Sequence, residues 1–192
     1  MEIFIFFGPP GAGKGTQAKK FALKYGFKHI STGELLRQEI IAGTDLGQTA
    51  KQFMADGNLV PDELVIAIID EQLKEQAKWP GFVFDGFPRT HKQADSLDEI
   101  ATQNGQTIKK VIYMEADESG LIERLLKREK IEGRLDDTEA TIKNRFNIYH
   151  QQTEPVLDHY RRQGKFVAID ATGSVEEVEA RIEAEYEKVI KD

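Results

Sequence analysis

Short apolar runs alternating with amphipathic segments along these 192 residues predict an α/β fold, a five-stranded parallel sheet with helices on both faces. Three observations carry the prediction. The apolar runs are continuous rather than alternating, as strands buried on both faces require. The segments between them place apolar residues three or four apart, which is helical spacing. Two turns rich in glycine and charge directly follow apolar runs, and ligands of such sheets bind beyond the carboxyl ends of the strands.

The elements follow in order. Ile3, Phe4, Ile5, Phe6 and Phe7 make the first strand, over residues 2–7, stopped by Gly8-Pro9-Pro10-Gly11. Helix-forming sequence runs from Lys14 to Tyr25 and ends at Gly26, a C-terminal cap. Phe27 to Ile30 is the second strand, and Ser31 or Thr32 caps the helix after it. Two short helices between Thr32 and Leu59 break at Gly43-Thr44-Asp45 and close at Asp56-Gly57-Asn58. Past Pro61, the positions Leu64, Ile68 and Ile69 mark a helix starting at Asp62. Gly81 to Phe84 is the third strand, running into Asp85-Gly86-Phe87-Pro88-Arg89-Thr90 and then a helix to Gln103. Ile108 to Met114 is the fourth strand. Leu121, Ile122 and Leu125 mark a helix, followed by a polar loop from Glu129 to Thr138. Ile142, Phe146, Tyr149 and Leu157 lie on a long helix bent near Pro155. Lys165 to Ile169 is the fifth strand, and Val175, Val178, Ile182, Tyr186 and Val189 give a final amphipathic helix. No repeat, low-complexity segment or linker divides the chain, so one domain is expected over residues 1–192.

Composition removes several classes of function. With 26 Lys and Arg against 33 Asp and Glu the net charge is −7, whereas a chain gripping nucleic acid through its phosphates is normally basic. No nucleic-acid partner is expected. The absence of cysteine excludes disulfide scaffolds, thiolate zinc sites and cysteine nucleophiles. No apolar run approaches the roughly 18 residues of a membrane helix, and the five-residue run at the start has no basic region before it. No membrane association is expected, and the cytoplasm is the expected location. His29, His91, His150 and His159 show neither metal-ligand nor triad spacing, and Trp79 reads as packing.

Gly8-Pro9-Pro10-Gly11-Ala12-Gly13-Lys14-Gly15-Thr16, between a buried strand and a helix, is a P-loop pattern in its proper context and predicts a P-loop NTPase fold. Its glycines let backbone N–H groups converge on an anion, and the helix N-terminus adds partial positive charge. Lys14 can reach the β and γ phosphates, and Thr16 can offer its hydroxyl to a phosphate oxygen or the metal shell. Gly15 departs from the general pattern, which has Ser or Thr there. Asp85, at the end of the third strand, stands where the acidic residue of a P-loop fold meets Mg²⁺, usually through water. Arg89 lies four residues on, at the same edge of the sheet.

With these residues in place the chain resembles the adenylate kinases, within the nucleoside monophosphate kinase family, essentially end to end. Gly8 to Gln17 is similar to the family P-loop, Gly15 included. Ser31-Thr32-Gly33-Glu34-Leu35-Leu36-Arg37 resembles the start of the mobile monophosphate-binding segment. Asp85 to Thr90 with Gln93 matches the signature DGFPRT-x-x-Q. Arg124, Arg128, Arg134-x-Asp136-Asp137 and Arg145 resemble the arginines around the family's lid. The resemblance implies reversible in-line phosphoryl transfer from Mg²⁺-bound ATP to AMP, giving two ADP. It implies that Thr32, Arg37, Val60, Gly86, Arg89 and Gln93 bind AMP, Arg37 and Arg89 holding its phosphate and Gln93 reading the adenine edge. ATP would lie on Gly11, Ala12, Gly13, Lys14, Gly15 and Thr16, with Arg124 stacked on its base, Arg128 beside its phosphates and Gly173 close to the base. Lys14, Arg89, Arg128, Arg134 and Arg145 would surround the transferring group, with Asp85 holding Mg²⁺ through water. The Phe87-Pro88 bond is expected to be cis, as is typical of the family.

The chemistry of the residues agrees. Phosphoryl transfer needs alignment and charge stabilisation more than covalent help, and an anionic acceptor oxygen needs no general base. Fork-shaped cations suit that task, which favours Arg over Lys. Residues 31–60 would cover the monophosphate and residues 129–138 the triphosphate, on a core of 1–30, 61–128 and 139–192. The second cover is too short for an inserted lid domain and, without cysteine, holds no thiolate zinc site, so a short-lid form and a monomer are expected. Within the same family a UMP/CMP kinase is the nearest alternative, but that branch typically carries Ala where Thr32 stands and Asn where Thr90 stands. A GTP-using AMP kinase is a further option. From a different class, a catalytically silent nucleotide sensor would be expected to lack Lys14, Asp85 or a lid arginine, and all are present.

Overall fold

A computed structural model of the chain describes residues 1–74 and 79–190. Its elements are β1 (Glu2–Phe7), α1 (Lys14–Tyr25), β2 (Lys28–Ser31), α2 (Thr32–Ala42), α3 (Asp45–Ala55), α4 (Asp62–Lys74), β3 (Gly81–Asp85), α5 (His91–Gln103), β4 (Thr107–Glu115), α6 (Glu118–Glu132), α7 (Glu139–Ile148), α8 (Val156–Arg162), β5 (Phe166–Asp170) and α9 (Val175–Val189). Among the described residues the five strands form one sheet in the order β2-β3-β1-β4-β5, every pair parallel. The predicted α/β architecture is the one observed.

The unbroken apolar run of β1 is explained by its place at the centre of that sheet. Ile3, Ile5 and Phe7 face a core supplied by α4, α5 and α8, while Phe4 and Phe6 face the opposite core, supplied by α1 and α9. Every one of the five is at most 3% exposed. At about 1.5–3 kcal/mol for each such side chain, this strand alone ties both helical layers to the sheet. The second core is largely aromatic: Phe21 meets Tyr186 edge-on at 5.0 Å, and Phe4 lies 5.2 Å from Phe21.

Four local expectations need correction. The polar stretch expected as a loop from Glu129 is helical to Glu132, because Glu129, Lys130 and Glu132 are good helix formers. The helix stops at Gly133, in the left-handed region at φ 61°. A single turn of 3-10 helix over Leu135–Asp137 then leads to α7. The long helix expected through Leu157 is interrupted earlier than Pro155, by a π-helical segment at Tyr149–Thr153 between α7 and α8. Strands β2 and β5 start one residue later than expected, and the Phe27 ring instead joins the aromatic core, 5.4 Å from Phe4. Among the described residues no helix is long and apolar enough to cross a membrane. Trp79, expected to pack, is 39% exposed.

Candidate active site

The sheet register sets two turns side by side. Phe6 of β1 and Ser31 of β2 both lie opposite Asp85 at the end of β3, so the chain leaves all three strands at one edge. From β1 it runs into the glycine-rich turn, where Gly13 caps α1 at φ 88°, a left-handed conformation that a residue with a Cβ rarely adopts. Gly15 has a different reason. A Cβ there would sit 3.0 Å from Asp85 Oδ2, so its absence lets the carboxylate lie against the first turn of α1. The Lys14 ammonium folds across the turn and donates to the carbonyl oxygens of Gly8 and Pro9, both at 2.8 Å. Desolvation is the largest influence on it, and despite the opposing pull of Asp85 its pKa falls to about 7. Arg89, Arg145 and Arg128 add to the depression.

The turn after β3 is organised around one carbonyl. Gly86 O accepts from Thr32 Oγ1 and from Arg89 Nε, each at 2.8 Å, joining the start of α2 to the arginine. A Cβ on Gly86 would lie 2.8 Å from the Arg89 guanidinium. The Phe87-Pro88 peptide is cis, as expected. Arg89 is held by its backbone as well, because its N–H donates to Gln93 Oε1 at 2.7 Å and its carbonyl accepts from Thr153 Oγ1 at 3.0 Å. Gln93 Nε2 donates to Asp62 Oδ1 at 2.7 Å, and Thr90 Oγ1 donates to Asp62 Oδ2 at 2.9 Å. Burial lowers the proton affinity of the Arg89 guanidinium, with Arg145 acting in the same direction.

Opposite these turns stand the arginines of α6, the following loop and α7. Arg128 presents a two-pronged fork to Asp137, with Nε 2.6 Å from Oδ2 and Nη2 2.8 Å from Oδ1. Arg145 Nη1 binds the same Asp137 carboxylate and donates to the Asp136 carbonyl oxygen at 2.8 Å. The Asp137 side chain is fully buried. Burial alone would push its carboxyl up, but the hydrogen bonds and charges of Arg128 and Arg145 prevail and hold it below the usual carboxylate range. Arg134 donates to Glu132 Oε2 at 2.5 Å. Arg37 and Arg124 make no hydrogen bond or ion pair among the described residues. Burial, then Arg134, lowers the proton affinity of Arg37.

These groups line one cleft of about 440 Å³. Its wall contains Gly11, Gly13, Lys14, Gly15, Thr16, Thr32, Arg37, Val60, Asp85, Gly86, Arg89, Gln93, Arg124, Arg128, Arg134 and Arg145. Of the residues singled out in the sequence, two are not on the wall. Ala12 is buried at 2% exposure in the α1 core beneath the turn, and Gly173 sits in the loop after β5 beside the start of α9. The wall also holds Lys19, Asn58 and Glu132, which sequence reasoning passed over. It passed over Asp62 and Thr153 as well. The partners of these two lie 28, 31 and 64 residues away, a separation to which no local pattern is sensitive. Eight basic side chains line the cleft against four acidic ones, so a chain of net charge −7 concentrates positive potential in one place. Among the described residues no three His, Cys, Asp or Glu side chains form a metal cluster. The Asp85 carboxylate, on the same wall as the Thr16 hydroxyl, fits Mg²⁺ that arrives with a polyphosphate, because that ion keeps most of its waters and takes one or two protein carboxylates.

A family model described as Adenylate kinase matches residues 6–165. The chain is similar to the adenylate kinase of Parasynechococcus marenigrum, 49% identical over 178 residues that cover 93% of this chain and 94% of that one. It is similar to an adenylate kinase of Thermus thermophilus, 43% identical over 183 residues, with 95% and 96% covered. The Phocaeicola vulgatus adenylate kinase is 43% identical over 189 residues, covering 98% of this chain and 100% of the relative.

Proposed function

Because this chain belongs to the adenylate kinase family of enzymes, whose function is ATP:AMP phosphoryl transfer, we propose that its cleft holds both nucleotides and passes the phosphoryl group in line between them. The observation that carries the assignment of residues is the position of Arg145. It lines the cleft together with Lys14, at the triphosphate end, and Arg89, at the monophosphate end. One cation thus acts on both ends of the reaction path.

On this reading Gly11, Gly13, Gly15 and Thr16 cradle the ATP phosphates with backbone N–H groups and the Thr16 hydroxyl, with Ala12 packed beneath them and its N–H on Pro9 O, while Arg124 stacks on the adenine and Gly173 allows a loop to approach it. Arg37 and Arg89 hold the AMP phosphate. Thr32, Val60 and Gly86 form its pocket, and Gln93 reads its base. Lys14, Arg128, Arg134 and Arg145 neutralise charge as it shifts from donor to acceptor oxygens, the largest contribution a protein makes to this chemistry. Asp85 is the residue that would hold, through water, the Mg²⁺ that comes with ATP, and that ion would supply further charge neutralisation. The segments 31–60 and 129–138 exclude water from the cleft as covers. Their mutual contact supports this role, since α3 packs against the Leu135–Asp137 turn, while Asn144 Nδ2 of α7 in the core donates to Asp56 O and Asn58 Oδ1 of the first cover, both at 2.8 Å. The small size of the chain and its need for two moving covers support a monomer as the working state on this reading, with the cytoplasm as its place of action.

The test is phosphoryl transfer from Mg·ATP to AMP, CMP and UMP in parallel, followed by phosphorus NMR. ADP formation with AMP, lost in Lys14→Ala, is the expected result. Faster turnover of CMP or UMP would overturn AMP as the acceptor. ATP binding without transfer to any of the three would overturn the assignment of catalytic roles to these residues.

A further inference from the structure

From the hydrogen bonds around Gln93, and resting on the reading of Gln93 as the residue that meets the base, we infer that Asp62 is a positioning residue that makes the enzyme select 6-aminopurine over 6-oxopurine monophosphates. A glutamine amide has two faces of opposite meaning, an oxygen that only accepts and a nitrogen that only donates, and it can turn over by rotation about its last bond. In a base pocket, that turn decides what is recognised. Adenine offers an N–H donor at position 6 beside the N1 acceptor. Hypoxanthine offers a carbonyl acceptor at position 6 beside an N1–H donor. A freely turning glutamine accommodates either base.

Gln93 is not free to turn. It is 2% exposed, its Oε1 accepts from Arg89 N–H at 2.7 Å, and its Nε2 donates to Asp62 Oδ1 at 2.7 Å. Turning the amide over would set nitrogen against an N–H and oxygen against a carboxylate, losing both bonds and creating two repulsive contacts. The carboxylate is aimed in its turn, since Asp62 Oδ2 accepts from Thr90 Oγ1 at 2.9 Å and Thr90 Oγ1 accepts from Gln93 N at 3.2 Å. One lone pair and one N–H of the amide remain available in fixed positions, the set complementary to the 6-amino edge. Asp62 opens α4, directly after the proposed AMP cover at 31–60, so the residue that aims the glutamine belongs to the core rather than to the moving part.

The test compares kcat/KM for AMP and for inosine monophosphate in the wild type, Asp62→Ala, Asp62→Asn and Gln93→Leu, with thermal melting of each. Asp62→Ala removes the acceptor and is expected to lower the AMP-to-IMP ratio about tenfold, the equivalent of one hydrogen bond, chiefly through a higher KM for AMP. Asp62→Asn keeps an oxygen for Gln93 Nε2 and turns its own N–H toward Thr90 Oγ1, so it should restore the ratio. A merely structural Asp62 would lower both substrates and the melting temperature in parallel and leave the ratio unchanged. An unchanged ratio in Asp62→Ala alongside a reduced one in Gln93→Leu overturns the role of Asp62 and leaves the base reading standing. An unchanged ratio in Gln93→Leu overturns the base reading, and this inference with it.

Discussion

Arg128 and Arg145 differ from Arg37 and Arg124 in how much of their geometry is settled before any anion arrives. The first pair share the buried Asp137 carboxylate, Arg128 through a two-pronged fork. The second pair line the same cleft with no hydrogen bond or ion pair among the described residues. A held cation is oriented in advance, so its charge is available to a transition state without further ordering, whereas a loose cation must be ordered by the ligand it meets. The contrast predicts that kcat and KM divide between two kinds of arginine in one cleft.

The sharpest way to break that comparison is to remove a held arginine. Arg145→Ala should lower kcat about a hundred- to a thousand-fold, with AMP affinity in equilibrium titration changed far less. An equal loss in binding would erase the distinction. The anchor itself comes next. Asp137→Asn leaves Arg128 and Arg145 without their carboxylate and should cost about 3 kcal/mol of stability in urea unfolding near pH 7. Because the folded carboxyl is held below its ordinary range, this stabilisation is present above the unfolded value, near 4, and is lost as pH falls through the folded one. The stability gap between wild type and variant should therefore narrow only as pH falls below about 4. A gap that does not narrow in acid would show that the carboxylate charge was not the anchor.

The loose pair should respond in binding. Arg37→Ala is expected to raise the AMP KM about ten- to a hundred-fold with the ATP KM unchanged. Arg124→Ala should raise the ATP KM by less, about three- to tenfold, as removal of a cation stacked on a base would. A matching fall in kcat would move either arginine into the held class. The smallest effect is a titration. With a pKa of about 7, Lys14 is mostly neutral at pH 8, and a bound triphosphate favours its charged form. ATP binding should then take up a proton at pH 8 and not at pH 6, weakening at most about tenfold per unit as pH rises above 7. Calorimetry in buffers of different ionisation enthalpy reads this uptake, and Lys14→Met should abolish it.

How much of this was legible in the sequence depended on distance along the chain. Gly8 to Thr16 and Asp85 to Thr90 carry their chemistry in consecutive residues, and the helices and strands that flank them declare themselves by periodicity. The cleft's two phosphate-binding turns were therefore readable. The anchoring was not. Asp62 looks like an ordinary acidic residue opening a helix, and its value lies in meeting Thr90 and Gln93. The helical turn from Glu129 to Glu132 was hidden by polarity, since an exposed helix end and a loop share the same residues.

The π-helical segment at Tyr149–Thr153 bears on which changes of length the chain tolerates. Thr153 reaches the Arg89 carbonyl from this wide turn, and one residue removed from the segment would rotate everything after it by about 100°. Arg89 would lose the tether on its carbonyl although no residue of the signature had changed. Insertions and deletions here should therefore be scarce among functional variants, and a deletion scan through residues 149–153 would reveal the constraint as loss of activity in a folded protein.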